Sequence, residues 1–378
     1  SLRYPHRTPF LDARVFFCYR WEVAGKSIAL LPNPLKSSNG ERHAMKIAQV
    51  DLFEVEIPPI PPIAKYFPKI YDITLCRLRT DEGLEGWGEY QGKKAAHKTT
   101  AAGLLEQDPL VIDPFGQPDP FTCALLDIAG QAYDLPVHRF FGAKIRDRVP
   151  VSYWSCHMEP AETAAEAEVG ARLGFTNHKL KARSWDIVET VRLMKAAAGP
   201  AYTVGVDPNT EFQYPTVAAR LASELEPLGT VNVFEDPVLK NNLDWYRLLR
   251  EKTHIPIALH MGAPSGLLAA LKAECIDYVN LGGTALQVRK AAALAEAADV
   301  PFWVQMGGLC TGVLAAYSVH LQSTLANATL PCDELPFTRI ADVVGEGLVL
   351  EEGHFQVPEG PGLGIKVDME VVEKFRVA

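Results

Sequence analysis

Beyond Val149 the chain repeats one short rhythm: a run of β-branched and aromatic residues, a polar turn, then an Ala- and Leu-rich helical stretch. This repetition restricts the fold more than any other feature. Strand-like pieces occur at VPVSYWS (149–155), TNHKLKA (176–182), YTVGVD (202–207), VNVFED (231–236), IPIALH (255–260), IDYVNL (276–281), PFWVQM (301–306) and ATLPCD (328–333). Helical stretches such as PAETAAEAEVGARLG and ALQVRKAAALAEAADV lie between them. Strands that alternate with helices predict a parallel sheet. Eight such units in about 185 residues fit a closed (β/α)8 barrel of the TIM type better than an open doubly wound sheet. No GxGxxG follows any strand, which argues against a dinucleotide-binding fold.

The preceding segment has a different pattern. IAQVDLFEVEIP alternates apolar and polar residues, and YDITLCRLRT, the turn DEG and LEGWGEY read as two further strands of a meander. Helical spacing follows over 95–106 and 117–134, with Asp119 placed to cap the second helix. The expected organisation is an extension over 1–44, a small α+β domain over 45–148, the barrel over 149–335, and a C-terminal segment, 336–378, of hairpin character that returns to the small domain. A length of 378 residues suits two domains.

Composition narrows the partners. The formal net charge is -9 and no aromatic-interleaved Lys/Arg cluster is present, so the footprint of a nucleic-acid binder is missing. The seven cysteines are scattered and never spaced as CxxC, which reads as reduced, structural thiols in a cytoplasmic protein. No run approaches the roughly 20 apolar residues of a spanning helix, so no membrane partner is expected.

In such barrels the chemistry sits where strands end. The third strand ends in Asp207, the fourth in Glu235 and the fifth in His260, three potential ligands brought toward one point. Two carboxylates suit a hard cation such as Mg²⁺; each could instead cap the helix that follows. On the second strand, Lys179, Lys181 and Arg183 share one face because the side-chain period is two. They read either as an edge strand guarded against aggregation or as a cationic face whose clustered charge lowers the pKa of a lysine toward that of a general base.

From Met45 to the C-terminus the sequence resembles the mandelate racemase/muconate lactonizing enzyme group of the enolase superfamily. The features that carry the resemblance are KLK at 179–181, VDPN at 206–209, FEDP at 234–237, IPIAL before His260, GG at 282–283 followed by LQVRKAAALAEA, and the tail PEGPGLGIKVD. It implies that Lys181 is the base, that Lys179 tunes it or contacts the substrate carboxylate, and that Asp207 and Glu235 bind the metal. The small domain, through LEGWGEYQGK and PPIPPIAKYFPKI, would then cap the barrel mouth. The implied activity is abstraction of the α-proton of a small carboxylic acid through a metal-stabilised enediolate, with a dehydratase, cycloisomerase or epimerase outcome and a homo-oligomeric assembly.

Two departures stand out. His260 takes a position that is usually Asp or Glu, so Mn²⁺, Fe²⁺ or Zn²⁺ become candidates beside Mg²⁺. The sixth and seventh strands offer Asn280 and Gln305, which donate hydrogen bonds but move no protons. One-base chemistry is therefore expected rather than two-base racemisation. Asn209, Arg183, Glu334 and His157 complete the candidate substrate contacts, His157 and His260 being the nearby groups able to act as a second acid. The alternatives are a metal-poor homologue that binds a small acid or a protein, and a zinc hydrolase built on His260.

Overall fold

The computed structural model describes residues 44–69 and 71–377. The expected extension, apart from Ala44, lies outside the described residues, and so does Cys18. The six described cysteines are buried and unpaired. No helix among the described residues is long and apolar enough to cross a membrane.

The first elements are β1 (Ile47–Val55), α1 (Pro61–Tyr66), β2 (Ile73–Thr80), β3 (Glu85–Gln91), α2 (Lys98–Leu104), α3 (Asp119–Tyr133) and α4 (His138–Phe141). β1, β2 and β3 form the expected antiparallel meander, with Cys76 opposite both Leu52 and Gly88. One face of this sheet buries Ile47, Cys76 and Leu78 against Phe121, Ala124, Leu125 and Ile128 of α3. The contact is close because β3 has glycine where the helix passes. A Cβ on Gly88 would stand 1.8 Å from the Pro120 carbonyl oxygen, and one on Gly86 2.1 Å from that of Ala124. The GWGEY motif thus sets the helix-to-sheet distance.

Asp119 does not cap its own helix, where Pro118 holds the N-cap position. Its carboxylate accepts instead from the Ala285 amide at 3.1 Å, at the start of a helix in the second half of the chain. Glu89 of β3 makes a similar link: its buried carboxylate accepts from the Thr311 and Leu314 amides and from the Thr311 hydroxyl at 2.7 Å. Both carboxylates meet helix N-termini, where unpaired amides and the helix dipole favour negative charge.

The second half contains β4 (Arg148–Pro150), β5 (Tyr153–Ser155), α5 (Pro160–Arg172), β6 (Asn177–Lys181), α6 (Ile187–Ala198), β7 (Thr203–Asp207), α7 (Pro215–Leu225), β8 (Val231–Glu235), α8 (Leu243–Lys252), β9 (Ile257–Met261), α9 (Pro264–Lys272), β10 (Tyr278–Leu281), α10 (Ala285–Ala297), β11 (Phe302–Val304) and α11 (Gly312–Gln322). Strands β5 to β11 form one parallel sheet in sequence order. Helices cover it, so strands such as TVGVD and IALHM are apolar up to their C-terminal polar residues.

Two expected strands take another form. The first is divided: β5 joins the parallel sheet, whereas β4 pairs with a C-terminal hairpin. The eighth, over 328–333, is an extended segment bonded to both sheet edges. Leu330 and Asp333 amides donate to Phe302 and Val304 carbonyls, and on the other side the Cys332 amide donates to Pro150 at 2.8 Å while Ser152 donates to Cys332.

The chain ends with β12 (Val344–Glu346), β13 (Leu350–Glu351), β14 (His354–Gln356), β15 (Lys366–Val367) and α12 (Met369–Lys374). β13 and β14 are the expected hairpin. After α12 the chain runs beside β1, the Glu56 amide donating to the Phe375 carbonyl and Val377 to Glu54, each at 2.9 Å.

Candidate active site

At the C-terminal ends of the parallel strands lies a cavity of about 410 Å³. Lys179, Lys181, Arg183, Asn209, Gln305, His157 and Asp333 line it from the sheet and its loops, and Tyr66, Phe67, Tyr71 and Gln91 from α1, the segment after it and β3. Gln91 is tied to the Gly307 carbonyl, which fastens the two walls.

The period of two in β6 does what the sequence predicts. Lys179 and Lys181 project to the cavity, while His178 turns to Ser155 Oγ at 2.7 Å and the Tyr202 hydroxyl at 3.2 Å. Parallel pairing sets Lys179 beside Gly205 and Lys181 beside Asp207. The Lys181 amine contacts Asp207 Oδ2 at 2.5 Å, and the other carboxylate oxygen accepts from the Asn209 amide at 2.9 Å.

Lys179 sits deeper, its ammonium 2.6 Å from Asp333, 2.7 Å from Glu235 and 3.4 Å from Asp207. Burial alone would lower its pKa; Asp333, Glu235 and Asp207 outweigh burial and hold it well above the ordinary lysine value. The expectation of a lysine pKa lowered by clustered cations fails for Lys179, because its neighbours across the sheet are carboxylates. Burial opposes ionisation of Asp207 too, yet Lys181 and Lys179 keep its pKa down at about 2. Glu235 goes the other way, pushed up to about 8 by burial and then by the charge of Asp207.

Asn280 is fully buried behind these groups, donating to Glu235 at 2.8 Å and Gln305 at 2.9 Å. Its own carbonyl oxygen is buried without a partner. The Gln305 oxygen also accepts from Lys179. Arg183 borders the cavity with its guanidinium on the Ala182 carbonyl at 2.7 Å.

Among the described residues, Glu235, Asp236 and His260 offer ligand atoms within 4.8 Å of one another. The sequence expected Asp207 in that set. The structure brings Glu235 and His260 together with Asp236, and gives the Asp207 oxygens to Lys181 and the Asn209 amide. Asp236 accepts from the His260 amide at 3.0 Å and also pairs with Lys240. Burial, followed by the charge of Lys179, lowers the His260 pKa to about 4, so the imidazole is neutral near pH 7 with a lone pair free for a metal. The ring has room because position 282 is glycine: a Cβ there would stand 2.6 Å from His260 Nε2. Two carboxylates and a neutral imidazole converging in a largely buried place fit a divalent cation.

Glu334 faces away from the cavity. Its carboxylate accepts from the Met306 and Gly307 amides and from Ser318 Oγ at 3.0 Å. The neighbouring Asp333 faces inward, held also by Trp303 Nε1 at 2.7 Å. Period-two alternation through the 328–333 segment could have found Asp333 once Cys332 was set against Val151. Asp186, bonded to His157, was also missed, having no sequence signal beyond its place before a helix.

The fold and the site define a class: a parallel α/β protein with lysines facing carboxylates at the strand C-termini, with the β1–β3 meander contributing to the same cavity. Residues 162–371 match the family described as enolase C-terminal domain-like. The chain belongs to the enolase superfamily, in its mandelate racemase/muconate lactonizing enzyme group. Members of this superfamily use a divalent metal. The chain is 28% identical to a D-galactonate dehydratase of Pectobacterium atrosepticum, over 78% of this chain and 89% of that protein. It is 24% identical to an N-succinyl-L-Arg/Lys racemase of Bacillus cereus, covering 88% and 98%. Among solved structures it is similar to a muconate lactonizing enzyme from Pseudomonas fluorescens complexed with muconolactone, with a TM-score of 0.78 and 25% identity over 89% of this chain and 100% of that one.

Proposed function

We propose that the protein is a metal-dependent isomerase or lyase that removes the α-proton of a small carboxylic acid. The observation that carries this reading is the convergence of Asp207, Glu235 and Asp333 on Lys179 and Lys181, the two lysines that line the cavity. Lys181, more open to the cavity than Lys179, is the base. Lys179, held protonated by its carboxylates, keeps a fixed positive charge below it. Glu235 and His260, with Asp236, would hold the cation, and Asp207 serves as the counter-ion of Lys181. A bound divalent metal supplies positive charge against a carboxylate whose negative charge grows as the α-proton leaves. Mg²⁺ is our first assignment because the carboxylates are hard donors, with Mn²⁺, Fe²⁺ or Zn²⁺ admitted by the imidazole.

Arg183 and Asn209 are placed to contact the far end of the acid, and Tyr66, Phe67 and Tyr71 to shield it from water. A sugar acid or a lactone-forming acid fits such a cavity. The architecture we assign is a closed (β/α)8 barrel over 149–335, capped by residues 45–148 and by the returning 336–378 segment. The hydrogen bonds of residues 330–333 to both sheet edges support closure. A homo-oligomer is the assembly expected of such barrels.

The test starts with metal analysis of protein purified without chelator. The protein is then incubated in D₂O with a library of carboxylic acids. Deuterium entering the α-position of any acid, and abolished in Lys181→Ala, supports the reading. No bound metal and no exchange across the library sinks it.

A further inference from the structure

The cavity holds one acid/base pair that the proposed mechanism leaves idle. His157 follows β5 and lines the cavity wall, and its Nε2 lies 2.7 Å from Asp186 Oδ2. Asp186 occupies the N-cap position of α6, where an aspartate ordinarily turns its carboxylate back onto the first amides of its helix. Here it makes no such bond. The carboxylate reaches across to the histidine instead. Trp185 packs edge-on against the imidazole with ring centroids 5.6 Å apart, so the ring is fixed from two sides. Both His157 and Asp186 are partly shielded, their side chains 29% and 17% exposed, whereas a solvent-facing tie between loops would leave both open.

His157 and Lys181 sit at the ends of neighbouring strands, since Ser155 pairs with Leu180. They therefore approach a bound acid from one wall of the cavity. One group takes a proton there; the other can give one. A histidine oriented by a carboxylate is suited to the second task, because the carboxylate fixes the ring and with it the nitrogen turned toward the cavity.

We propose that His157, positioned by Asp186, is the general acid that protonates a departing β-hydroxyl, so that the chain is a dehydratase acting on 2,3-dihydroxy carboxylic acids. The inference rests on the α-proton chemistry assigned above to Lys181. The α C–H bond breaks and its proton passes to the Lys181 amine. The electron pair left behind forms the double bond to the β-carbon as the β C–O bond breaks. The oxygen leaves with its own bonding pair, takes the His157 proton and departs as water. The resulting enol gains a proton from solvent at the β-carbon, gives up its hydroxyl proton to solvent, and becomes the 2-oxo-3-deoxy acid. With base and acid on one wall, proton and hydroxyl leave from the same face.

The full-length protein, loaded with Mg²⁺ or Mn²⁺, is incubated in D₂O with aldonic and aldaric acids that include D-galactonate. Two signals are followed: α-deuterium in recovered acid, and 2-oxo acid released. For an acid that reacts, His157→Asn should cut 2-oxo acid formation at least about 100-fold, the lower end of what a general acid supplies, while deuterium exchange falls less than about tenfold. Asp186→Asn should lower kcat about tenfold with KM within twofold, and displace the pH-rate profile. Release of 2-oxo acid in His157→Asn within tenfold of the parent overturns the proposal. So does equal loss of exchange and product in a variant with native circular dichroism, which would mark a binding role. Exchange without any 2-oxo acid sinks this inference alone, whereas no exchange into any acid sinks it together with the Lys181 reading.

Discussion

The Lys179 ammonium lies 2.6 Å from Asp333, a residue 154 positions later in the chain, and forms one buried unit with it, Glu235 and Asp207. Three carboxylates taken out of water are tolerable only with positive charge among them, and breaking such a unit from one side costs about 3–5 kcal/mol. Lys179→Met, close in volume but uncharged, should lower the melting temperature by at least several degrees. Divalent metal should then raise the melting temperature of the variant more than that of the parent, since it replaces the missing charge. A variant that melts within about a degree of the parent, with or without metal, would show that Lys179 does not balance the site.

His260 supplies a neutral nitrogen where a third carboxylate would add charge and a harder donor. His260→Asp should therefore tighten Mg²⁺ binding by at least tenfold in isothermal titration calorimetry and weaken any preference for Zn²⁺ or Mn²⁺. Glu235→Gln should weaken all of these ions by a comparable factor. Equal Mg²⁺ affinity in the parent and in His260→Asp would place the cation away from this imidazole.

What could be read in the sequence follows from periodicity. Strand order, the shared face of Lys179 and Lys181, and the strand-end positions of Asp207, Glu235 and His260 all follow from a side-chain period of two and from where apolar runs stop. What could not be read depends on distance through space. The cationic neighbours in sequence suggest a lowered pKa for a lysine of this face; that of Lys179 rises because residues on other strands are carboxylates. Asp333 and Glu334 differ by one register step, and no local pattern says which faces the cavity. Asp119 looks like the cap of its own helix and bonds to the Ala285 amide of another. The His157–Asp186 contact joins two loops whose paths no strand pattern fixes.

The seam between α3 and β3 predicts a strict glycine requirement. The Pro120 carbonyl oxygen is backbone at the start of a helix, so a Cβ on Gly88 can be accepted only if α3 moves as a body. Gly88→Ala should cost about 1–3 kcal/mol, as overpacking commonly does. Gly103→Ala is the control, because nothing lies within 4 Å of a Cβ built there and it sits in α2. The expected order of melting temperatures is parent about equal to Gly103→Ala, and Gly88→Ala lower by several degrees. Equal melting of the two variants would show that the seam yields.

Glu89 couples folding to pH at the joint between the two halves. Burial pushes its pKa up to about 7, against the opposing pull of the Thr311 hydroxyl and of the Thr311 and Leu314 amides. In the unfolded chain the group returns to its ordinary value of 4.5. Below that pH both states carry the proton and the contribution of Glu89 to stability is fully present. Between 4.5 and about 7 the unfolded chain gives up its proton while the folded protein keeps it, so this contribution is lost as the pH rises through the folded value. Glu89→Gln cannot ionise and removes that slope. Its amide also weakens the cap on α11, which should lower stability by an amount that varies little with pH. The difference in melting temperature between parent and Glu89→Gln, followed across this range, should therefore be largest at the acid end and narrow toward neutrality. A difference that stays constant, or widens as the pH rises, would mean that the carboxyl is already ionised within the fold and that the helix N-terminus holds its charge.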